Sequence, residues 1–269
     1  MRLRPQREEP RLLREKLREQ LRESREAIKQ QQRALREQRH LFRRMGSRGQ
    51  PVESRAAILQ AAAKEFAEHG IAGARTEAIA REARVNKALL YYYFKDKETL
   101  YGAVLDDVFA GMKSTVFSVL DGQLAPREKM MAYVGAYFDF IASNQHYPRL
   151  MQSEMMRARD GQSPHIEKIV KNYFQPIFAR LSEVMRKGIA DGEFRPVNPA
   201  HFVPSMVAMI VFYFSSAPMM QRIAGFNPLT PERIAERRAA ILDFISAALF
   251  VRESIRPERP RKEHAYERA

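Results

Sequence analysis

Apolar residues recur at helical spacing along most of the chain, and prolines and glycines separate the apolar segments. Residues three and four apart share one face of an α-helix, so the pattern predicts early helices over 52–69, 76–83, 87–94 and 97–120. Later helices are predicted to open at Pro126, Pro148, Pro164, Pro199 and Pro231. No run alternates like a strand beside Gly-rich turns, so the predicted fold class is all-α.

Two further prolines predict breaks inside the later helices. Pro176 is expected to bend or offset the helix that opens at Pro164. Pro218 is expected to end or kink the helix that follows Asn198-Pro199. Proline has this effect because it lacks the backbone N–H and its ring clashes with the preceding turn.

The stretch 75–94 predicts two short helices joined by a tight turn. Thr76 and Asn86 are the predicted N-caps, because their side-chain oxygens accept hydrogen bonds from free N–H groups of a first turn. Leu90 and Phe94, four apart, are predicted to point inward. The opposite face is predicted to carry Lys87, Ala88, Leu89 and Tyr92. A short helix with a cap, a lysine and small or exposed residues suits the DNA major groove.

This stretch resembles the DNA-binding domain of the TetR family of bacterial transcriptional regulators. The family pattern lies over 76–100 and couples capping, core and contact positions in one frame. The matching residues are Thr76, Ile79, Ala80, Ala83, Val85, Leu90, Tyr91, Phe94, Lys97, Glu98 and Leu100. The resemblance implies a three-helix, helix-turn-helix domain that is followed by an all-helical domain for effector binding and dimerisation.

The chain departs from the family pattern around the turn. Arg84 and Ala88 stand where the family favours glycine, and Asn86 and Leu89 stand where it favours serine or threonine. Arg84 is therefore expected to be held at positive φ, which strains a residue with a Cβ. Leu89 can touch a thymine methyl but cannot hydrogen-bond a base, so operator preference is left open.

The resemblance implies a division of the chain and a set of DNA contacts. We expect an extension and linker over 1–50, the DNA-binding domain over 51–111, the helical domain over 112–252 and a disordered tail over 253–269. Phosphate contacts are expected from Thr76, Tyr91 and Lys97, and base contacts from Lys87, Ala88, Leu89 and Tyr92. The full expected DNA-binding set is Arg75, Thr76, Arg84, Asn86, Lys87, Ala88, Leu89, Tyr91, Tyr92 and Lys97.

The implied function is that of a sequence-specific DNA-binding regulator, a repressor released from its operator by a small hydrophobic effector. Met and aromatic residues can line such a pocket, although each is also an ordinary core residue. The expected pocket residues are Phe109, Met112, Tyr133, Tyr137, Met151, Met155, Phe174 and Phe178. A homodimer is expected to read a pseudo-palindromic operator through two copies of the reader.

The last two helices carry the longest apolar surfaces and are predicted to pair with their copies as a four-helix bundle. The expected interface residues are Met206, Met209, Ile210, Tyr213, Ile234, Ile241, Leu242, Ile245 and Leu249.

Net charge favours a polyanionic partner but does not locate it. The 269 residues carry a formal charge of +14. Residues 1–44 hold 15 basic and 7 acidic side chains, 15 − 7 = +8, whereas residues 52–100 hold 8 and 7, 8 − 7 = +1. The DNA prediction therefore depends on the positions of a few basic residues rather than on bulk charge.

The Arg-rich segment 1–44 leaves several alternatives open. It reads as one charged helix with Leu21, Ile28, Leu35 and Phe42 seven apart, which is half of a coiled-coil seam. It is a solvated helix, a weak coiled coil, a basic arm on phosphate, or a segment upstream of a true start at Met45. A non-specific nucleic-acid-binding protein that uses this segment is one alternative function.

Other classes find little support in the sequence. The chain has no cysteine and lacks P-loop, G-x-G-x-x-G, H-E-x-x-H and G-x-S-x-G motifs, and its six histidines lack ligand spacing, so we expect no enzyme, cofactor or metal. The start lacks a signal peptide, and we expect a cytoplasmic protein. The uncharged stretch 197–221 is long enough to span a bilayer, but its three prolines and several polar residues favour a buried helix over a membrane-associated protein.

Overall fold

The computed structural model describes residues 51–251 together with Glu19, Glu26, Lys29 and Gln30. The expected charged helix and linker before residue 51, apart from those four residues, and the expected tail after residue 252 lie outside the described part of the chain.

Regular structure in the described part is helical, and the all-α prediction is confirmed. The described residues form eleven α-helices. The bounds are α1 Pro51–Gly73, α2 Thr76–Glu82, α3 Lys87–Tyr93, α4 Lys97–Leu120, α5 Pro126–Ser143, α6 Tyr147–Arg159, α7 Ile166–Ile169, α8 Gln175–Ala190, α9 Pro199–Ser215, α10 Ala217–Ala224 and α11 Pro231–Leu249. Phe194 and Phe250 form an isolated antiparallel β-bridge.

Helix ends follow the capping and glycine signals of the sequence. The side chain of Asn198 accepts from the Ala200 N–H at 2.9 Å, and that of Thr230 accepts from the Arg233 N–H at 3.4 Å. Each cap therefore satisfies one of the free donors that a helix start exposes. Gly70 has φ 63°, which interrupts α1 at the predicted stop, and one further helical turn follows it.

A π-helical turn over Val170–Phe174 comes directly before α8, where Pro176 is in the first turn. Proline offers no N–H to the carbonyls of the preceding turn. One of these, the Asn172 carbonyl, accepts from Lys113 Nζ of α4 at 2.9 Å. The distortion predicted at Pro176 is confirmed, and a side chain from another helix takes over one of the carbonyls beside it.

Pro218 lies in the first turn of α10, and the axes of α9 and α10 differ by 67°. The break predicted at Pro218 is therefore confirmed. Among the described residues, no single helix is long and apolar enough to cross a membrane, and α9 with α10 meets that test only as this bent pair.

By its internal contacts the described chain divides into two units. The N-terminal unit comprises 51–61 and 75–96, and the C-terminal unit comprises 62–74 and 97–251. In the N-terminal unit, Ile58, Ile79 and Leu90 are buried, and the Arg55 guanidinium lies 5.5 Å from the centre of the Phe94 ring. The boundary at 96/97 precedes the predicted 111/112, which falls inside the continuous helix α4.

The C-terminal unit has a core rich in aromatic rings. Tyr101 on α4 packs edge-on against Phe66 at 5.1 Å. Phe109, also on α4, meets Tyr147 at 5.5 Å and Phe174 at 5.5 Å. Offset and edge-on ring pairs of this kind add about 0.5–1.5 kcal/mol beyond the area they bury. The first residues of α4 are therefore anchored to the helical core that follows.

Candidate functional site

The turn between α2 and α3 has the strained geometry that the sequence predicts. Arg84 has φ 55°. Among the described residues, no other non-glycine residue has a positive φ. The Val85 N–H donates to the Ala80 carbonyl at 2.9 Å and closes the turn. A non-glycine residue held here costs on the order of 1 kcal/mol, and such strain is typical of functional turns.

The start of α3 is capped as predicted. Asn86 has an extended backbone, and its Oδ1 accepts from the Leu89 N–H at 2.8 Å. The cap fixes the start of α3, and Lys87 and Ala88 in its first turn are exposed. One turn on, Tyr91 and Tyr92 are 42% and 39% exposed. A helix advances about 100° per residue, so these four side chains share one arc of α3.

Leu89 does not belong to that arc, and its prediction as a base-facing residue is wrong. Its exposure is 0%. Leu89 lies about 160° around the helix from Lys87, on the side of Leu90 and Tyr93. The two adjacent leucines therefore both face the core of the domain.

The prediction that Thr76 caps α2 is also wrong. Thr76 is the first residue of α2, and Arg75 occupies the cap position. Thr76 is 9% exposed, and its Oγ1 lies 3.3 Å from Tyr91 Oη on α3. The hydroxyl pair ties the first turn of α2 to the exposed arc of α3.

A carboxylate that sequence reasoning missed lies beside this arc. Glu77 on α2 forms an ion pair with Lys87, and Lys87 Nζ lies 5.8 Å from the centre of the Tyr91 ring. The hydrogen bond from Lys87 lowers the pKa of Glu77, and the same bond raises the pKa of Lys87. The two residues are ten positions apart and belong to different helices, so helical spacing gave no signal.

The other predicted DNA contacts differ in exposure and in hydrogen bonding. Arg75 and Arg84 are exposed. Lys97 is half-buried, and its Nζ donates to the carbonyls of Ala72 at 3.1 Å and Ala74 at 3.2 Å. An ammonium group has three donors, so two of those of Lys97 already bind protein.

Six of the eight predicted effector-pocket residues do not line the apolar groove described below. Phe109, Met112, Tyr133 and Tyr137 are at most 3% exposed, and the rings of Tyr133 and Tyr137 stack at 6.0 Å. Tyr147 Oη lies 3.4 Å from Tyr137 Oη. Burial raises the pKa of Tyr147 to about 12. These phenols therefore stay neutral near pH 7. Phe178 is 40% exposed.

Met151 and Met155 line a groove between α6 and the α9–α10 corner. It has a volume of about 790 Å³ and is almost wholly apolar. This size falls within the range of small-molecule sites, and methionines adapt their shape to a ligand. The lining residues are Pro148, Met151, Gln152, Met155, Met156, Arg159, Ala208, Val211, Phe212, Ser215, Ser216 and Met219.

The face of α6 turned away from the groove carries a polar network. Glu154 is fully buried and bonds Ser163 and Arg157. Arg157 Nη2 donates to Glu98 Oε1 on α4 at 2.9 Å, and His165 Nε2 lies 2.9 Å from the same oxygen. The network joins the first turn of α4 to the end of α6 and the segment after it.

The family profile described as "Bacterial regulatory proteins, tetR family" matches residues 58–104. A second profile, described as "Tetracyclin repressor-like, C-terminal domain", matches residues 126–245. Together they cover both units. The chain belongs to the TetR family.

Named transcriptional regulators align with this chain over most of their own length. The HTH-type transcriptional repressor SCO4008 of Streptomyces coelicolor is 30% identical over 173 residues, which is 64% of this chain and 84% of that protein. The HTH-type transcriptional repressor KstR2 of Mycolicibacterium smegmatis is 30% identical over 148 residues, 55% of this chain and 70% of that protein. The structure of the TetR family transcriptional regulator PfmR from Thermus thermophilus shares the fold, with a TM-score of 0.57 and 21% identity over 71% of this chain and 97% of that chain. This TetR-family chain is thus a helix-turn-helix DNA-binding transcriptional regulator.

The predicted dimer residues of this TetR-family chain need correction. Five of the nine are at most 2% exposed within the single chain, because they point between the helices: Met206, Ile210, Ile241, Ile245 and Leu249. Met209, Tyr213, Ile234 and Leu242 are half-buried. The side of α9 and α11 that remains open carries Phe212, which is 62% exposed, and Phe244, which is 56% exposed.

Proposed function

We propose that this TetR-family protein is a repressor that binds a pseudo-palindromic operator as a homodimer and is released by a small apolar effector. The observation that supports DNA reading is the exposed arc of α3, defined as Lys87, Ala88, Tyr91 and Tyr92, which the Arg84 turn and the Asn86 cap position. We call this arc the reading surface.

The reading surface has the chemistry that a major-groove contact needs. Lys87 donates to guanine O6 and N7 or to phosphate, and the tyrosine rings contact thymine methyl groups or the sugar-phosphate backbone. The arginines at 75 and 84 are exposed and bind phosphate, and Lys97 supplies its remaining donor. Phosphate contacts of this kind set orientation and salt dependence, whereas the reading surface sets sequence preference.

Two copies are required because one seven-residue helix touches only a few base pairs. Recognition helices of a dimer read half-sites about 34–36 Å apart. The open side of α9 supports such pairing through its exposed residues outside the groove lining, which are uncharged: His201, Pro204 and Ser205. On α11 the corresponding exposed residues include Ala240, Phe244 and Ala247.

Phe244→Asp is expected to convert the protein to a monomer and to weaken operator binding at least tenfold. The new carboxylate would be desolvated at the proposed interface, and one reader would lose its partner. Sedimentation gives the oligomeric state, and a gel shift with the DNA upstream of its gene gives the affinity. Leu124→Asp, at a 42% exposed loop residue, is the control. A wild-type monomer, or binding by wild type that shows no sequence preference, would contradict the proposal.

The groove between α6 and the α9–α10 corner is the proposed effector site. Its support is its volume and its apolar lining, in which Met151, Met155 and Met156 come from one helix. That lining favours a largely uncharged, apolar molecule, because a polar one would lose water without gaining partners. α6 also carries the Arg157 network to α4 on its other face, so a ligand in the groove acts on the helix that follows the reader.

Met155→Glu is expected to weaken binding of the uncharged apolar dye N-phenyl-1-naphthylamine about tenfold, since it places a charge in the groove. Met155 is 57% exposed, so the fold and operator affinity are expected to stay unchanged. Phe178→Glu, at a 40% exposed residue outside the groove lining, is the matched control. Dye titration by fluorescence checks both variants, and equal losses would reject the groove as the site.

A further inference from the structure

The ion pair between Glu77 and Lys87 lies on the surface proposed to read DNA. The side chain of Glu77 is 64% exposed and that of Lys87 is 50% exposed. Both charges are therefore within reach of DNA. Lys87 begins α3 and belongs to the reading surface, whereas Glu77 lies in the first turn of α2.

The pair contributes little to the fold. Exposed ion pairs add little to stability, because water and salt screen them and because ordering two long side chains costs entropy. A carboxylate beside a DNA-binding surface also repels phosphate and so lowers affinity for every DNA sequence. An acidic residue in the first turn of α2 favours the helix N-terminus, but that effect does not require the ion pair with Lys87.

The contacts around the pair indicate that Glu77 fixes where the Lys87 ammonium points. The Thr76 hydroxyl donates to Glu77 Oε2 at 3.4 Å and also meets Tyr91 Oη at 3.3 Å. Lys87 Nζ lies over the Tyr91 ring. Glu77 thus holds the lysine ammonium at one place on the reading surface, where an unpaired lysine would swing freely among phosphates.

We propose that Glu77 is a positioning residue that determines DNA specificity by holding Lys87 toward base edges and away from non-operator phosphates. The proposal rests on the reading surface proposed above. Without the carboxylate, Lys87 binds any nearby phosphate, so affinity for non-operator DNA rises more than affinity for operator. Discrimination between the two falls although total binding increases.

Glu77→Gln in the full chain tests this directly. Operator duplexes are first selected from a random library with the wild-type protein, and a scrambled duplex of equal length is the reference. Fluorescence anisotropy from 50 to 200 mM salt is expected to show about 3–10-fold tighter scrambled binding. The slope of log K against log salt steepens by about 0.9, the value for one added phosphate contact. The operator-to-scrambled ratio falls.

Two controls separate this role from a general charge effect. Glu183→Gln removes an equally exposed glutamate from a 2.9 Å pair with Arg180 in the C-terminal unit, and is expected to leave the ratio unchanged. In the Lys87→Met background, Glu77→Gln is expected to leave the ratio unchanged as well, because Glu77 acts through Lys87.

Three outcomes would overturn the inference. One is an unchanged ratio and slope in Glu77→Gln. Another is weaker operator binding with scrambled binding unaltered, which would make Glu77 a direct acceptor for a base. The third is an effect of equal size in the Lys87→Met background. Failure of the proposed function looks different, because the wild-type protein itself would then select no operator.

Discussion

Leu89→Ala is expected to lower the free energy of unfolding by about 2–5 kcal/mol, the range for removing a buried leucine side chain. Leu89 is 0% exposed. Its backbone N–H also holds the Asn86 cap, so the residue joins the cap of α3 to the core. Because the lost methyl groups leave a cavity beside the reading surface, DNA binding is expected to fall for all sequences together.

The contrast with Tyr92→Ala makes this prediction specific. Tyr92 lies on the same helix and is 39% exposed. Its truncation is expected to cost less stability and to change the ranking of operators, since its ring belongs to the reading surface. Urea titration followed by circular dichroism measures stability, and competition gel shifts measure the ranking. A stable Leu89→Ala protein with altered operator ranking would restore Leu89 to the DNA-facing side.

The sequence predicted the helices well because local chemistry sets their ends. Asn86, Asn198 and Thr230 bind their own first turns, and Gly70 adopts positive φ, all within four residues of the signal. Such features depend on a few neighbouring residues. The positive φ of Arg84 was predictable for another reason, because the family that this stretch resembles favours glycine at the position.

The direction of a side chain was harder to predict where two apolar residues are adjacent. Leu89 and Leu90 are about 100° apart on a short helix. A wide apolar face can include both, whereas a narrower face would leave one of them exposed at its edge. On α9 and α11 the long apolar surfaces predicted a dimer, but the protomer itself buries five of the predicted interface residues, Met206 and Ile245 among them. Packing between distant segments decides these cases, and sequence periodicity does not report it.

Ion pairs between helices were also outside the reach of the sequence. Glu98 and Arg157 are 59 residues apart, and Glu77 and Lys87 are separated by the turn at Arg84. From the sequence alone, each of these charged residues is predicted to lie on a solvated helix face. The structure shows instead that one of these pairs lies on the reading surface and that the other belongs to a partly buried network.

Arg157→Met is expected to destabilise the C-terminal unit by about 3–5 kcal/mol, because it removes a cation beside a buried carboxylate. The Glu154 side chain is 1% exposed and that of Arg157 is 16% exposed. The Arg157 guanidinium also lies 5.1 Å from the centre of the Tyr101 ring and donates to Glu98 at 2.9 and 3.1 Å. Methionine keeps much of the apolar volume, so the loss reports charge and hydrogen bonds rather than a cavity.

The double variant Arg157→Met/Glu154→Gln tests the cause. If the uncompensated charge of Glu154 dominates, neutralising it is expected to recover at least half of the lost stability, since Gln still accepts from Ser163. Arg180→Met, which breaks exposed pairs with Asp121 and Glu183, is the matched control and is expected to cost much less stability than Arg157→Met. Thermal and urea unfolding measure all three proteins. A recovery below that level would mean that the Glu98 bonds of Arg157, and hence the tie to the first turn of α4, carry most of the stabilisation.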